Sequence, residues 1–176
     1  MTTIALSAPA HMIGDEPIET LYRRYSKQIY NYLLRLVRRG DIAEELLQDV
    51  FVAALEGADR FQGHSTPSTW LFRIAHHKAV DWLRKKRPHR LEHVDWLMAG
   101  DSTERAAFDA WTAEQVRSAL DVLSVDHRAV IELVFWQGLP YREVARIVGC
   151  PVGTVKSRMS YAKRHLRWAL NMRGVR

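Results

Sequence analysis

The run Tyr141-Arg142-Glu143-Val144-Ala145-Arg146-Ile147-Val148, the pair Gly149-Cys150 and the run Pro151-Val152-Gly153-Thr154-Val155-Lys156-Ser157-Arg158 together have the spacing of a helix-turn-helix. Ala145 is small where the two helices would cross, Gly149 suits a sharp turn, and Val144, Val148 and Val155 are spaced to fill the wedge between helices. Pro151 fits a first helical turn because no backbone donor is needed there. The second helix is expected to turn Val155, Met159, Ala162 and Leu166 inward. That leaves Lys156, Ser157, Ser160 and Tyr161 for base edges in a major groove, and Arg142, Arg158, Lys163 and Arg164 for phosphates. Cys150, beside a proline in a turn, reads as a small filler rather than a redox switch.

The same spacing of three and four extends through the rest of the 176 residues, and no segment alternates apolar with polar residues well enough for a sheet. An all-α protein is therefore expected. Toward the amino terminus from the helix-turn-helix, helices are predicted over 125–137 and 113–123. The stretch 88–112 opens with Pro88, has weak periodicity and mixes Glu92, Asp95, Asp101, Glu104 and Asp109 with few bases, so it reads as a linker. A further helix is predicted over 68–86, burying Leu71, Ile74, Ala75, Ala79, Trp82 and Leu83, after a polar loop Gln62 to Pro67. Helices over 42–56 and 19–39 precede it, with Gly40 and Asp41 stopping one and capping the other. The first carries the stripe Leu21, Tyr22, Tyr25, Ile29, Tyr30, Leu33, Leu34 and Val37; the second buries Ile42, Leu46, Leu47, Val50, Phe51 and Ala54. Two small helical domains result, over 16–87 and 113–176, joined by the linker and preceded by a disordered leader over 1–15.

Charge divides the chain more sharply than its net +6 suggests. From Asp41 to Asp59 there are six acids and no lysine or arginine; from Val144 onward there are eight bases and no acid. Two partners of opposite charge are implied, one of them nucleic acid. On the helix over 42–56 the inward positions leave Asp41, Glu44, Glu45, Gln48 and Asp49 clustered on the opposite face. The helix over 68–86 mixes Arg73, His76, His77, Lys78, Arg84, Lys85, Lys86 and Arg87 with Trp70 and Trp82, close to Phe61. Aromatics interleaved with bases suit single strands, because an exposed base stacks on a ring while the bases hold the backbone. Trp82 reads as core, whereas Trp70 divides between core and stacking.

Several classes are disfavoured. A single cysteine gives no disulfide framework and no structural zinc spacing, and no apolar run approaches the roughly 18 residues that span a bilayer, so a cytoplasmic protein without membrane insertion is expected. Adjacent His76 and His77 point about 100° apart on a helix and do not share an ion. No glycine-rich phosphate loop, nucleophile elbow or catalytic constellation is present, so neither an enzyme nor a cofactor is expected.

Taken together, Asp41-Ile42-Ala43-Glu44-Glu45-Leu46-Leu47-Gln48-Asp49-Val50-Phe51, then Trp70-Leu71-Phe72-Arg73-Ile74-Ala75, then Asp81 and Arg84, then Gly138-Leu139-Pro140-Tyr141-Arg142-Glu143-Val144-Ala145 and Pro151 to Arg158, stand in an order that resembles the bacterial RNA polymerase sigma factors of the small, two-domain extracytoplasmic-function group (group 4). The resemblance covers residues 16 to 171. It implies that Asp41, Glu44, Glu45, Gln48 and Asp49 dock on the coiled coil of the largest subunit of core RNA polymerase, and that the second domain sits on the flap of the other large subunit while its recognition helix reads the upstream promoter element. It also implies that the loop, with Phe61, His64, Ser65 and Trp70, traps an unstacked base of the downstream element. Arg73, His77, Lys78, Arg84 and Lys85 would hold the melted strand, the linker would thread toward the RNA path, and an anti-sigma protein would clamp both domains. His77 stands where the family has asparagine, and imidazole presents its donor and acceptor at different angles from an amide, so a different downstream-element preference is expected. The alternative is a stand-alone helix-turn-helix regulator that binds duplex DNA without polymerase.

Overall fold

The computed structural model describes residues 12–85, 118, 120 and 123–172. They fall into two compact units, parted between Trp82 and Leu83. The expected linker, most of the helix predicted over 113–123, Lys86 and Arg87 lie outside the described residues.

The first unit opens with a hairpin, β1 (Met12–Ile13) against β2 (Glu16–Pro17), antiparallel. This departs from the sequence reading, which assigned residues 12–15 to a disordered leader and expected no strand. The period-two signal of a two-residue strand is too short to register, and Gly14 supplies the tight turn with φ +62°.

Three helices follow: α1 (Ile18–Val37), α2 (Gly40–Glu56) and α3 (Pro67–Lys85). In α1 the buried set is Ile18, Leu21, Ile29, Tyr32, Leu33, Leu36 and Val37. Tyr32 and Leu36 belong to the core and Tyr22 does not, because the helix meets its neighbours along a line rotated from the predicted stripe. Each fully buried leucine or isoleucine on that line contributes roughly 1.5–3 kcal/mol of transfer free energy. The turn between α1 and α2 also differs. The left-handed residue is Arg38 (φ 59°), whose amide donates to Leu34 O at 2.8 Å, and Gly40 is already the first residue of α2. Ala43, Leu46, Val50, Phe51 and Ala54 of α2 are buried, while Ile42 and Leu47 are half-buried. A short 3-10 turn, Ala58–Arg60, leads to the loop before α3. Thr66 caps α3, its Oγ1 accepting from the Thr69 amide at 3.2 Å, with Pro67 in the first turn. Leu71, Phe72, Ala75, His76 and Ala79 face inward; Ile74, Trp82 and Leu83 reach only half-burial.

In the second unit α4 (Val125–Ile131) starts at Ser124, whose hydroxyl accepts from the His127 amide. It runs into a wider π turn, Glu132–Trp136, where Gln137 N donates to Glu132 O at 3.2 Å, so the helix predicted through Gln137 changes pitch halfway. Then come α5 (Tyr141–Val148) and α6 (Val152–Met172), the predicted helix-turn-helix. Gly149 takes the left-handed conformation (φ 67°, ψ 37°) and its amide donates to Ala145 O at 3.0 Å. Pro151 sits just before α6 and its carbonyl accepts from Thr154 and Val155. Val144 and Val155 fill the wedge as expected, but the third member is Ile147 rather than Val148. Along α6, Val155, Met159 and Ala162 are buried, and the line continues to Ala169 while Leu166 is half-buried.

Candidate functional site

On α2, Asp41, Glu44, Glu45, Gln48 and Asp49 are all exposed, and their spacing of three and four puts them on one face. Asp41 lies in the first helical turn. The Arg39 guanidinium donates to it (Nε to Oδ1, 3.2 Å) and holds its carboxyl below the usual carboxylate range; desolvation opposes this and the Ile42 amide adds to it. At the other end of the face, Asp49 Oδ2 lies 3.7 Å from Lys78 Nζ of α3.

The loop after the 3-10 turn begins at Phe61, whose ring meets Trp70 edge-on with centroids 5.4 Å apart at 60°. Both rings are half-buried. A Cβ on Gly57 would approach Trp70 Cζ2 at 3.3 Å, so the indole lies against bare backbone. Between these rings the chain bulges out through Gly63 (φ 71°) and exposed His64, with Ser65 half-buried. On α3, Arg73, His77 and Arg84 are exposed at spacings of four and seven, in line with Trp70; Lys78 and Lys85, seven apart, follow a neighbouring line. The structure separates His76 from the basic set in which the sequence reading placed it. His76 is buried and its Nδ1 lies 2.9 Å from the Tyr32 hydroxyl, an interior contact across 44 residues of chain.

On the helix-turn-helix, Arg142, Lys156, Ser157, Ser160, Tyr161, Lys163 and Arg164 are exposed. Ser157 donates its hydroxyl back to Thr154 O at 2.9 Å. Arg158 is different from the rest: it is half-buried, donates to Asp126 Oδ2 at 2.6 Å and lies 3.8 Å from Cys150 Sγ. Its guanidinium therefore fastens α6 to the start of α4. The Tyr161 ring makes tilted contacts with two imidazoles, His127 at 4.5 Å and His165 at 4.9 Å, with the Arg164 guanidinium 5.7 Å from its ring centre. Burial first, then the charge of Arg158, pushes the His127 imidazole below its ordinary value; Asp126 opposes this and His165 adds to it.

Three features escaped the sequence reading. His127 meets the Tyr161 ring, which needs α4 folded against α6 to be seen, and His165 meets it from one turn further along α6. Arg128 and Glu132 are buried at 6% and 0% exposure, and a spacing of four between opposite charges usually marks a solvated helix face. Phe135 and Trp136 are exposed, at 60% and 44%, because the π turn rotates them out of the core, and Lys163 Nζ lies 5.7 Å from the Phe135 ring centre. Among the described residues no group of three or more histidine, cysteine, aspartate or glutamate side chains is placed to hold a metal ion. Among them, too, no helix is long and apolar enough to cross a membrane.

Comparison with known proteins converges on one family. Residues 21–89 match Sigma-70 region 2 and residues 113–166 match Sigma-70 region 4. The chain is 33% identical over 157 residues to the RNA polymerase sigma factor YlaC of Bacillus subtilis, spanning 86% of this chain and 91% of that one. It is 32% identical over 151 residues to the ECF RNA polymerase sigma factor SigX of the same organism, spanning 81% and 78%. Among solved structures, the sigma factor RpoE in complex with the anti-sigma factor NepR, from Bartonella quintana, has 27% identity and a TM-score of 0.73 over 87% of this chain and 96% of that one. CnrH, solved with the cytosolic domain of CnrY, shares the fold at 24% identity and a TM-score of 0.66, over 88% of each chain. With regions 2 and 4 in order on two helical units, the chain belongs to the extracytoplasmic-function RNA polymerase sigma factors, alternative sigma factors of transcription initiation.

Proposed function

We propose that this sigma factor joins core RNA polymerase to promoter DNA through surfaces of opposite charge, working in the cytoplasm. The domain over 16–87 docks on the coiled coil of the largest subunit through Asp41, Glu44, Glu45, Gln48 and Asp49. The domain over 113–176 sits on the flap of the other large subunit, and the exposed Phe135 and Trp136 offer it an apolar contact. Lys156, Ser157, Ser160 and Tyr161 of α6 read duplex base edges, with Arg142, Lys163 and Arg164 on phosphates. Arg158, tied to Asp126, serves more to hold α6 than to bind phosphate. The loop with Phe61, His64, Ser65 and Trp70 takes an unstacked base, while Arg73, His77, Lys78, Arg84 and Lys85 hold the melted strand. Unstacking costs a few kcal/mol per step, and a site that accepts only the open base offsets it. An anti-sigma protein is the expected inhibitor; the related RpoE of Bartonella quintana was solved with one.

The observation that carries this reading is the segregation of charge. The exposed α2 face presents Asp41, Glu44, Glu45 and Asp49, whereas α6 presents Lys156, Lys163, Arg164 and Arg167 in a stretch without acids. The test is run-off transcription from a promoter panel with core polymerase, with and without this protein, beside gel shifts of the protein alone. Promoter-specific transcripts that need both components support the reading. Specific duplex binding alone, with no initiation conferred on core, makes the chain a stand-alone regulator. In the same assay Glu45→Arg and Asp49→Arg are expected to weaken core binding roughly tenfold or more by setting like charges against each other. Both sites are exposed, so the melt of Glu45→Arg should be unchanged and that of Asp49→Arg should shift only by the loss of its exposed pair with Lys78; unaltered core affinity would remove the acidic face from the interface.

A further inference from the structure

The amino-terminal hairpin touches the first unit at a telling place. Ile13 is fully buried, and β1 packs against the 3-10 turn that leads into the loop. Gly14 opens the two-residue turn at φ +62°, and a Cβ there would come within 3.3 Å of Phe61 Cε1. The bare backbone of Gly14 thus rests on one side of the Phe61 ring, while Phe61 meets Trp70, and Trp70 lies on the bare backbone of Gly57. Two glycines therefore hold the two rings between which the loop 62–66 emerges. The hairpin is itself fastened to α1, since Arg24 Nη1 lies 2.8 Å from Glu16 Oε2.

We infer that the hairpin Met12–Pro17 is a positioning element for the single-strand loop. Ile13 and Gly14, acting through Phe61 and Trp70, set the mouth that the loop presents to an unstacked base, and so tune sequence selectivity without contacting DNA. This rests on the reading of that loop as strand-binding.

The test uses the full chain bound to core polymerase and a panel of short fluorescein-labelled single strands of varied sequence, read as the affinity ratio between the best and worst strand. Gly14→Val places a β-branched side chain at a left-handed position and against the Phe61 ring. Glu16→Arg opens the clasp to Arg24 at a half-buried site away from the Gly14–Phe61 contact, and keeps the test available if Gly14→Val does not fold. Phe61→Ala is the reference. A purely structural role lowers affinity for all strands alike; a positioning role compresses the ratio. The expected result is a ratio reduced about fivefold in Gly14→Val, and reduced in the same direction in Glu16→Arg, with core affinity unchanged. If Phe61→Ala compresses the ratio and neither hairpin variant does, the hairpin is no positioning element although the loop binds the strand. If Phe61→Ala itself leaves the ratio intact, the assignment of the loop fails and the inference falls with it.

Discussion

The two units solve the problem of a polar group in a helical core in opposite ways. In the first, Tyr32 is fully buried with its hydroxyl 2.9 Å from His76 Nδ1 and its ring edge-on to Phe72, a phenol-to-imidazole contact that ties α1 to α3. In the second, the buried groups are charged. Arg128 and Glu132 stand one turn apart, and Arg128 Nη2 donates to Leu123 O at 2.9 Å. Burial pulls the Arg128 guanidinium below its ordinary value and the Glu132 charge opposes that pull. Losing the phenol hydroxyl leaves one buried polar atom short of a partner, whereas a charge whose partner is lost stays behind in a medium that solvates it poorly. The first unit should therefore degrade gently on substitution and the second abruptly.

The largest expected effect tests this directly. Glu132→Leu leaves the Arg128 charge without its carboxylate and should destabilise the second unit by about 3–5 kcal/mol in urea unfolding; adding Arg128→Met should recover most of the loss. Tyr32→Phe takes the phenol hydroxyl away from the buried His76 Nδ1 and should cost about 1–3 kcal/mol in the first unit. Equal losses in the two variants would dissolve the contrast.

Smaller effects sharpen it at the surface. Asp126→Asn releases the Arg158 guanidinium from a pair that is largely exposed on the aspartate side, so stability should change by under about 1 kcal/mol. If the freed guanidinium then reaches a phosphate, duplex affinity rises and the salt slope steepens by about one. An unchanged slope would leave Arg158 as a fastening only. The smallest effect concerns His127. Because its folded-state value lies below the ordinary one, the unfolded chain takes up the proton first as pH falls. Its contribution is intact above the ordinary imidazole range, near about pH 6.5, and is lost as pH drops from there through the folded value. His127→Gln should flatten that part of the stability-against-pH profile, which thermal melts between pH 5 and 8 would read; an identical slope in both proteins would assign the acid sensitivity elsewhere.

Much of the molecule was legible from local pattern. The ranges of α5 and α6, the left-handed Gly149 and the exposure of the α2 acids follow from residue spacing and from what glycine permits, and those are properties of a few adjacent residues. What was misread shares one cause. Leu36 and Tyr32 displaced Tyr22 from the core, Ile147 displaced Val148, and the first helix stopped at a left-handed Arg38 rather than at Gly40. Each depends on the angle at which one helix meets another, and periodicity alone fixes that angle only to within a residue or so.

By itself the sequence determined the helices, their two groups and the separation of acidic from basic surface, because hydrophobic period and charge are written along a single chain. The tertiary structure decided the rest: that His76 is an interior partner of Tyr32 and not a nucleic-acid contact, that Arg158 faces Asp126 across 32 residues, that Tyr161 meets His127, and that Gly14 rests against Phe61. All four join residues far apart in the chain, and pairings of that kind come into existence only when packing brings the elements together.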